Sequence, residues 1–228
     1  MNSAVAMRYW KPTTEDAVRR LLDDGCDRFL HLPLYPQESR ATTESSSLEL
    51  RRVLGRLSPR AEWREIRDYH LHPGYIAAVR RTVDEGLASL RAAGAASPVV
   101  LFSAHGLPER FRRSGDPYVG QIEATRAAVV SGLAVPTHLS FQSRVGPVKW
   151  VEPYTDDTIR RLAKEGVASL LMVPLGFVSD HFETLFEIDL LYGDLARASG
   201  IERFMRAPSL NSRPDFLEVL ADLATSPP

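Results

Sequence analysis

The chain has 228 residues, 44% of them hydrophobic and 25% charged, with a formal net charge of −1. That is ordinary globular composition, enough for one large domain or one and a fraction with a sizeable core. Such a charge gives no reason to expect nucleic acid as a partner. One cysteine, Cys26, excludes an internal disulfide and a self-sufficient iron–sulfur cluster.

No apolar run approaches the roughly 20 residues of a membrane-spanning helix, and residues 1–10 lack the pattern of a secretory signal. A cytoplasmic protein is the expectation, with peripheral membrane contact left open. Nothing in the sequence fixes an oligomeric state, and a monomer is expected.

Apolar β-type runs alternate with amphipathic helical runs. Residues 4–9 (AVAMRY) read as a strand, and 13–24 as a helix with Thr13 or Thr14 as N-cap and Gly25 after its end. Strand 27–33, helix 44–54, a weaker strand 61–66 and a long helix 75–93 follow. The pattern repeats with strand 98–103, helix 118–131, strand 137–142, helix 155–165, strand 168–174, helix 182–198, strand 202–206 and helix 214–223. This alternation predicts an α/β fold of βαβ units with mostly parallel sheets. The near-continuous apolar strands at 98–103 and 168–174 fit sheets covered on both faces. The expected organisation is a first doubly wound module with its crossover over 1–95, a second over 96–205, and a C-terminal helix over 206–228 packing back on the first. Residues 140–153 form a long irregular connection, of the kind that is functional in compact α/β proteins unless it is disordered. Phe141 and Trp150 argue against disorder.

In open parallel sheets, ligands bind at the carboxyl ends of strands. Two strand exits are rich in polar groups. At the first, His105 lies just past an apolar strand and before Gly106 and Pro108. An imidazole there either ligates a metal or accepts a proton, or it merely bonds the adjacent backbone. Asp116 reads as a turn cap. At the second exit, Glu183 and Glu187 are four apart and share a helix face. Like charges at that spacing repel, a cost that makes sense if a cation or protons visit the face. The competing account is a capping box between Asp180 and Glu183, with His181 a bystander. Cys26 reads as an inert buried residue, His31 as a satisfied strand histidine, and His70 and His72 as a chance H-x-H spacing. Dinucleotide-binding, P-loop, zincin and nucleophile-elbow motifs are missing from the sequence.

These motifs, taken together and in order, resemble those of the ferrochelatases: SAHGLP at 103–108, GDPY at 115–118, SFQSRVGPVKWVEP at 140–153 and VPLGFVSDHFETLFEID at 173–189. AMRYWKP at 6–12, LPLYPQES at 32–39 and SLNSRPDF at 209–216 extend the resemblance over nearly the whole chain. It implies two Rossmann-like doubly wound modules of the chelatase kind with a porphyrin cleft between them. It also implies the reaction, in which Fe²⁺ as substrate enters protoporphyrin IX or coproporphyrin III and two pyrrole protons leave. The active-site histidine falls on His105 and the key carboxylate on Glu183, which together handle the metal. Glu187, His181 and Asp180 fall on a relay for metal or protons. Ser103, Phe141, Trp150 and Phe177 are the candidates for the cleft wall.

Two departures from the family pattern stand out. Leu191 occupies a position that is acidic in many relatives, so the ladder of acids is expected to stop at Glu187. The family's N-terminal strand, glycine-containing loop and next porphyrin-contacting segment have no counterpart before residue 4, so the first module is expected to lack at least one βαβ unit. A non-catalytic tetrapyrrole- or metal-binding protein, or a related sirohydrochlorin cobalt or nickel chelatase, are the alternatives.

Overall fold

A computed structural model describes residues 2–226. Helix α1 (Thr14–Asp23) opens on a reciprocal cap. The Thr13 hydroxyl accepts from the Asp16 amide at 3.2 Å, and the Asp16 carboxylate accepts from the Thr13 amide at 2.8 Å. Strand β1 (Arg28–His31), a π-type turn at Arg40–Glu44, helix α2 (Ser45–Leu57) and strand β2 (Glu62–Glu65) follow. β1 and β2 pair in parallel, and a small core of Val18, Phe29, Leu50, Val53 and Leu54 closes beneath them.

The strand expected at residues 4–9 does not form. Met7 donates its amide to the Pro12 carbonyl and makes only an isolated bridge to Thr13. Tyr9 and Trp10 are exposed. A strand is held by its neighbours' backbone groups, and this segment has turned onto itself instead.

The larger part begins with α3 (Pro73–Ala92) and continues through β3 (Val99–His105), the short α4 (Glu109–Arg113), α5 (Tyr118–Val130), β4 (Thr137–Gln142), α6 (Thr155–Lys164) and β5 (Ser169–Pro174). A ten-residue π-helix at Glu183–Tyr192 runs into α7 (Gly193–Ala198), then β6 (Arg203–Arg206) and α8 (Pro214–Thr225). All four strands are parallel, in the order β4-β3-β5-β6. β5 is buried along its whole length, and β3 is buried up to its last residue. One face is covered by α3, α5 and α8 through Val83, Leu87, Ile122 and Phe216. The other is covered by α6 and α7 through Ile159, Leu162 and Ala196. Coverage on both faces explains why these strands read as unbroken apolar runs.

The chain leaves β3 towards β4 on one side and returns to β5 on the other. The carboxyl ends of β3 and β5 therefore flank the point where strand order reverses, where such sheets open a ligand crevice. The C-terminal helix lies along α3, with Val219 over Gly74, whose missing side chain leaves room that a Cβ at 2.8 Å from Val219 would not. Its end also reaches the first module, where Arg64 donates to the Ala224 carbonyl at 3.1 Å.

Candidate active site

β3 runs two residues beyond the predicted boundary and ends on His105, paired in register with Gln142 at the end of β4. His105 is thus held by the sheet. Gly106 donates to the Gln142 carbonyl at 2.8 Å. A Cβ at Gly106 would meet that same carbonyl at 2.8 Å and the Trp150 ring at 3.2 Å, so glycine is what lets the chain turn there.

After β5, Gly176 takes a left-handed conformation (φ +91°), where a Cβ would meet the Gln37 side chain at 3.2 Å. The turn delivers Phe177, His181 and Glu183 to the His105 side of the crevice. Phe177 stands edge-on to both imidazoles, with ring centroids 6.2 Å from His105 and 4.7 Å from His181. The Glu183 carboxylate lies between the two histidines, 4.0 Å from His105 Nδ1 and 2.9 Å from His181 Nδ1. The longer gap exceeds a hydrogen bond and is close to two metal–donor bonds of about 2.1 Å end to end.

His181 Nδ1 also lies 3.1 Å from the Glu183 amide. One nitrogen cannot accept from that N–H and donate to the carboxylate together. The neutral Nε2–H ring accepts the amide, and a ring protonated at Nδ1 donates to Glu183. Burial pulls the His105 pKa below the ordinary imidazole value, while the charges of Glu183 and Glu187 push it back up. His105 is therefore neutral near pH 7, free to accept a proton or to ligate. Removing the Glu183 charge takes away one of the raising influences. In Glu183→Gln the His105 ring is expected to titrate at lower pH than in the parent, read by NMR of the imidazole protons. An unchanged or higher midpoint would show that the two groups do not interact.

The capping-box account of Glu183 does not hold. The Asp180 amide donates to Asn211 at 2.8 Å, and the Glu183 amide donates to His181 Nδ1, not to the Asp180 carboxylate. Asp180 accepts instead from Arg206, Ser209 and Asn211 at 2.7–2.9 Å, which turns it away from the crevice and ties the loop to the segment after β6. Glu183 is left free to face His105. Glu187 sits one step further along, accepting from Ser143 at 2.6 Å and Gln142 at 3.1 Å.

Two cleft-wall expectations need correction. Ser103 and Phe141 are buried, 0% and 3% exposed, because helices cover both faces of the sheet. Ser103 supports Gln142 from below, and Phe141 belongs to the core beneath the site. Trp150 is half-exposed; it packs on Gly106 and bonds the Val145 carbonyl, pinning the 143–153 connection. Phe177 is the wall candidate in contact with the functional side chains. Leu191 is half-exposed on the same helix.

Sequence reasoning missed Gln142 and Ser143. Their signal was two polar residues at a strand end opening a long irregular connection. Three further histidines are occupied elsewhere. His31 bonds Ser46 and Ser47, His70 bonds Asp68, and His72 caps α3 while bonding Asp222, so the H-x-H pair does not converge. Asp116 caps the turn into α5 and also accepts from Ser39 and Arg40, clasping the two modules. Among the described residues no helix is long and apolar enough to cross a membrane.

Two solved structures share this architecture. SirB from Bacillus subtilis with Fe³⁺ superposes with a TM-score of 0.65 at 14% identity, over 95% of this chain and 79% of that one. The sirohydrochlorin chelatase SirB from Bacillus subtilis subspecies spizizenii in complex with cobalt gives 0.63 at 14%, over 99% and 80%. At that identity the likeness speaks for a Rossmann-like chelatase fold alone. Sequence goes further. A protein named ferrochelatase from Geotalea uraniireducens (strain Rf4) is 50% identical over 220 residues, 96% of this chain and 68% of its own length. One from Gloeobacter violaceus is 44% identical over 225 residues, 96% and 68%. The Ferrochelatase family model matches residues 1–227, so it takes in both strand exits and the connection between them, and the chain belongs to the ferrochelatase family.

Proposed function

We propose that the protein inserts Fe²⁺ into a porphyrin at the carboxyl edge of β3 and β5, with His105 and Glu183 as the pair that handles the metal. The observation that carries this is a neutral imidazole facing a carboxylate across 4.0 Å at the switch point of a parallel sheet. Two donors of different kind hold a divalent ion weakly, and the ion must be released into the ring. Among the described residues no cluster of three or more histidine, cysteine, aspartate or glutamate side chains is arranged to cage a metal.

The reaction is Fe²⁺ plus free-base porphyrin giving the iron porphyrin and two protons. Each pyrrole N–H bond breaks as an N–Fe bond forms, so a base is needed at the ring. His105, neutral at pH 7, accepts a proton there. Glu183 beside it stabilises the imidazolium, and His181 and Glu187 continue the path towards solvent. Phe177 holds both imidazoles edge-on and keeps the site apolar on one side. Protoporphyrin IX or coproporphyrin III is the substrate in this reading, and the cytoplasm its setting.

The test is anaerobic Fe²⁺ insertion, and Zn²⁺ insertion as a fluorescence surrogate, by the purified chain with each porphyrin. Glu183→Gln is expected to lower kcat by about 10²-fold. Insertion at the parental rate by both Glu183→Gln and His105→Ala would refute the assignment.

A further inference from the structure

Behind the metal-handling pair lies a buried polar network that none of the roles above uses. Gln142 is 1% exposed and ends β4 beside His105. Its Oε1 accepts from the Ser103 hydroxyl at 2.7 Å, and because the other end faces a carbonyl and a carboxylate oxygen that can only accept, that end is the nitrogen. Ser103 is in turn 3.1 Å from Thr155, and Thr155 is 2.9 Å from Ser140, all three buried. With Oε1 so held, Nε2 points out of the sheet, and both its bonds go to the π-helix. It donates to the Glu183 carbonyl and to Glu187 Oε2, each at 3.1 Å. The next residue, Ser143, adopts a left-handed backbone (φ +65°) that costs a non-glycine residue free energy. In that conformation its hydroxyl donates to the same Glu187 oxygen at 2.6 Å.

We propose that Gln142 and Ser143 are positioning residues for the acidic ladder, setting the first turn of the π-helix and the Glu187 carboxylate against His105. The proposal rests on the metal-handling reading above. A buried amide that only filled space would be satisfied within its own sheet. This one instead spends both donors across the gap between β4 and the π-helix. Both donors on Glu187 act at Oε2, so the carboxylate is oriented without being used up, and Oε1 is left for a metal ion or a proton. A strained serine beside a buried glutamine is the kind of local cost that persists where a functional geometry depends on it.

The test uses the whole chain and Zn²⁺ alone as probe, with site-specific binding defined as the part lost in His105→Ala. Gln142→Met keeps side-chain volume while removing both donors, and Ser143→Ala removes one. Each is expected to raise the Zn²⁺ Kd at this site about tenfold, with porphyrin Kd unchanged in both and the thermal midpoint unchanged in Ser143→Ala, so that the loss of Zn²⁺ affinity does not follow melting. Combined with Glu187→Gln, Ser143→Ala is expected to add nothing further, because its side chain reaches the helix through that carboxylate. A Zn²⁺ Kd within twofold of the parent, a loss that tracks porphyrin binding and melting, or an additive loss in the double variant would each overturn the proposal. If Glu187→Gln leaves the Zn²⁺ Kd unchanged while His105→Ala abolishes binding, the ladder role of Glu187 fails, and this proposal with it. If Glu187→Gln weakens binding and Gln142→Met does not, the positioning role alone fails.

Discussion

Replacing His105 with alanine is expected to lower kcat for metal insertion about 10³-fold while leaving the fold and porphyrin affinity within a few-fold of the parent. The magnitude is that of losing one positioned acid–base group in the transition state, with the loss of a metal donor added. Selectivity follows from how the residue is held. Its backbone is locked between β4 and the turn at Gly106, and its carbonyl accepts from the Tyr118 hydroxyl at 3.1 Å, none of which needs the ring. The ring itself is 40% exposed and contacts Phe177 and Glu183 only at the crevice. Truncation therefore removes chemistry with little packing. The measurement is kcat and KM for Zn²⁺ insertion beside a thermal melt. A variant that retains activity within tenfold of the parent would remove His105 from the mechanism, and one that melts several degrees lower would show that the ring is structural after all.

How far the site was legible in the sequence differs from residue to residue. The strands at 98–103 and 168–174 were plain because burial on both faces leaves a continuous apolar run, a signal carried by composition alone. Residues 4–9 carry equally strand-like side chains and form no strand, because pairing depends on a neighbour that local sequence does not describe. His105 and Glu183 were ambiguous by spacing. The cap account for Glu183 was reasonable until Asp180 proved to bond Arg206, Ser209 and Asn211, partners 26 to 31 residues away that no local pattern encodes. The motif order over the chain resolved both residues, since it carries tertiary information that periodicity lacks. Ser103 lies two residues before His105 in β3. In a pleated strand neighbours face opposite ways, but residues two apart share a face, and only the covering helices decide how deep that face lies. Gln142 was invisible for a related reason. Its importance is a register match with His105 and a reach to a helix 41 residues on.

Arg206→Ala is expected to destabilise the protein by about 2 kcal/mol and to lower its thermal midpoint by roughly 4–8 °C. Arg206 is largely buried, with its side chain 13% exposed, and it joins two parts of the site. Its Nε and Nη2 fork onto Asp189 at 2.8 and 3.1 Å, and its Nη1 reaches Asp180 at 2.9 Å. Asp180 precedes the π-helix and Asp189 lies within it, so one guanidinium fixes both the entry and the axis of the segment that presents His181, Glu183 and Glu187. Alanine leaves two carboxylates without their cation. Their side chains keep 30% and 35% exposure, so water takes up part of the loss and the cost stays below that of a fully buried pair. Lysine restores the charge without the fork and is expected to recover only part of the stability.

The pH dependence gives an independent check. Burial raises the Asp180 pKa, but hydrogen bonds from Asn211 and Ser209 and the Arg206 charge outweigh it and hold the group below its ordinary value. A depressed folded pKa contributes stability that is present above the unfolded pKa near 4 and is lost as pH falls through the folded one. The stability gap between parent and Arg206→Ala is therefore expected to be full at pH 7 and to narrow below about pH 4, measured by denaturant unfolding across that range. Insertion activity is expected to fall more steeply than stability at 25 °C, because loosening the axis of the π-helix moves Glu183 and Glu187 before it unfolds the sheet. A gap below 0.5 kcal/mol at pH 7, or one that widens on acidification, would mean that Arg206 does not hold the segment in place.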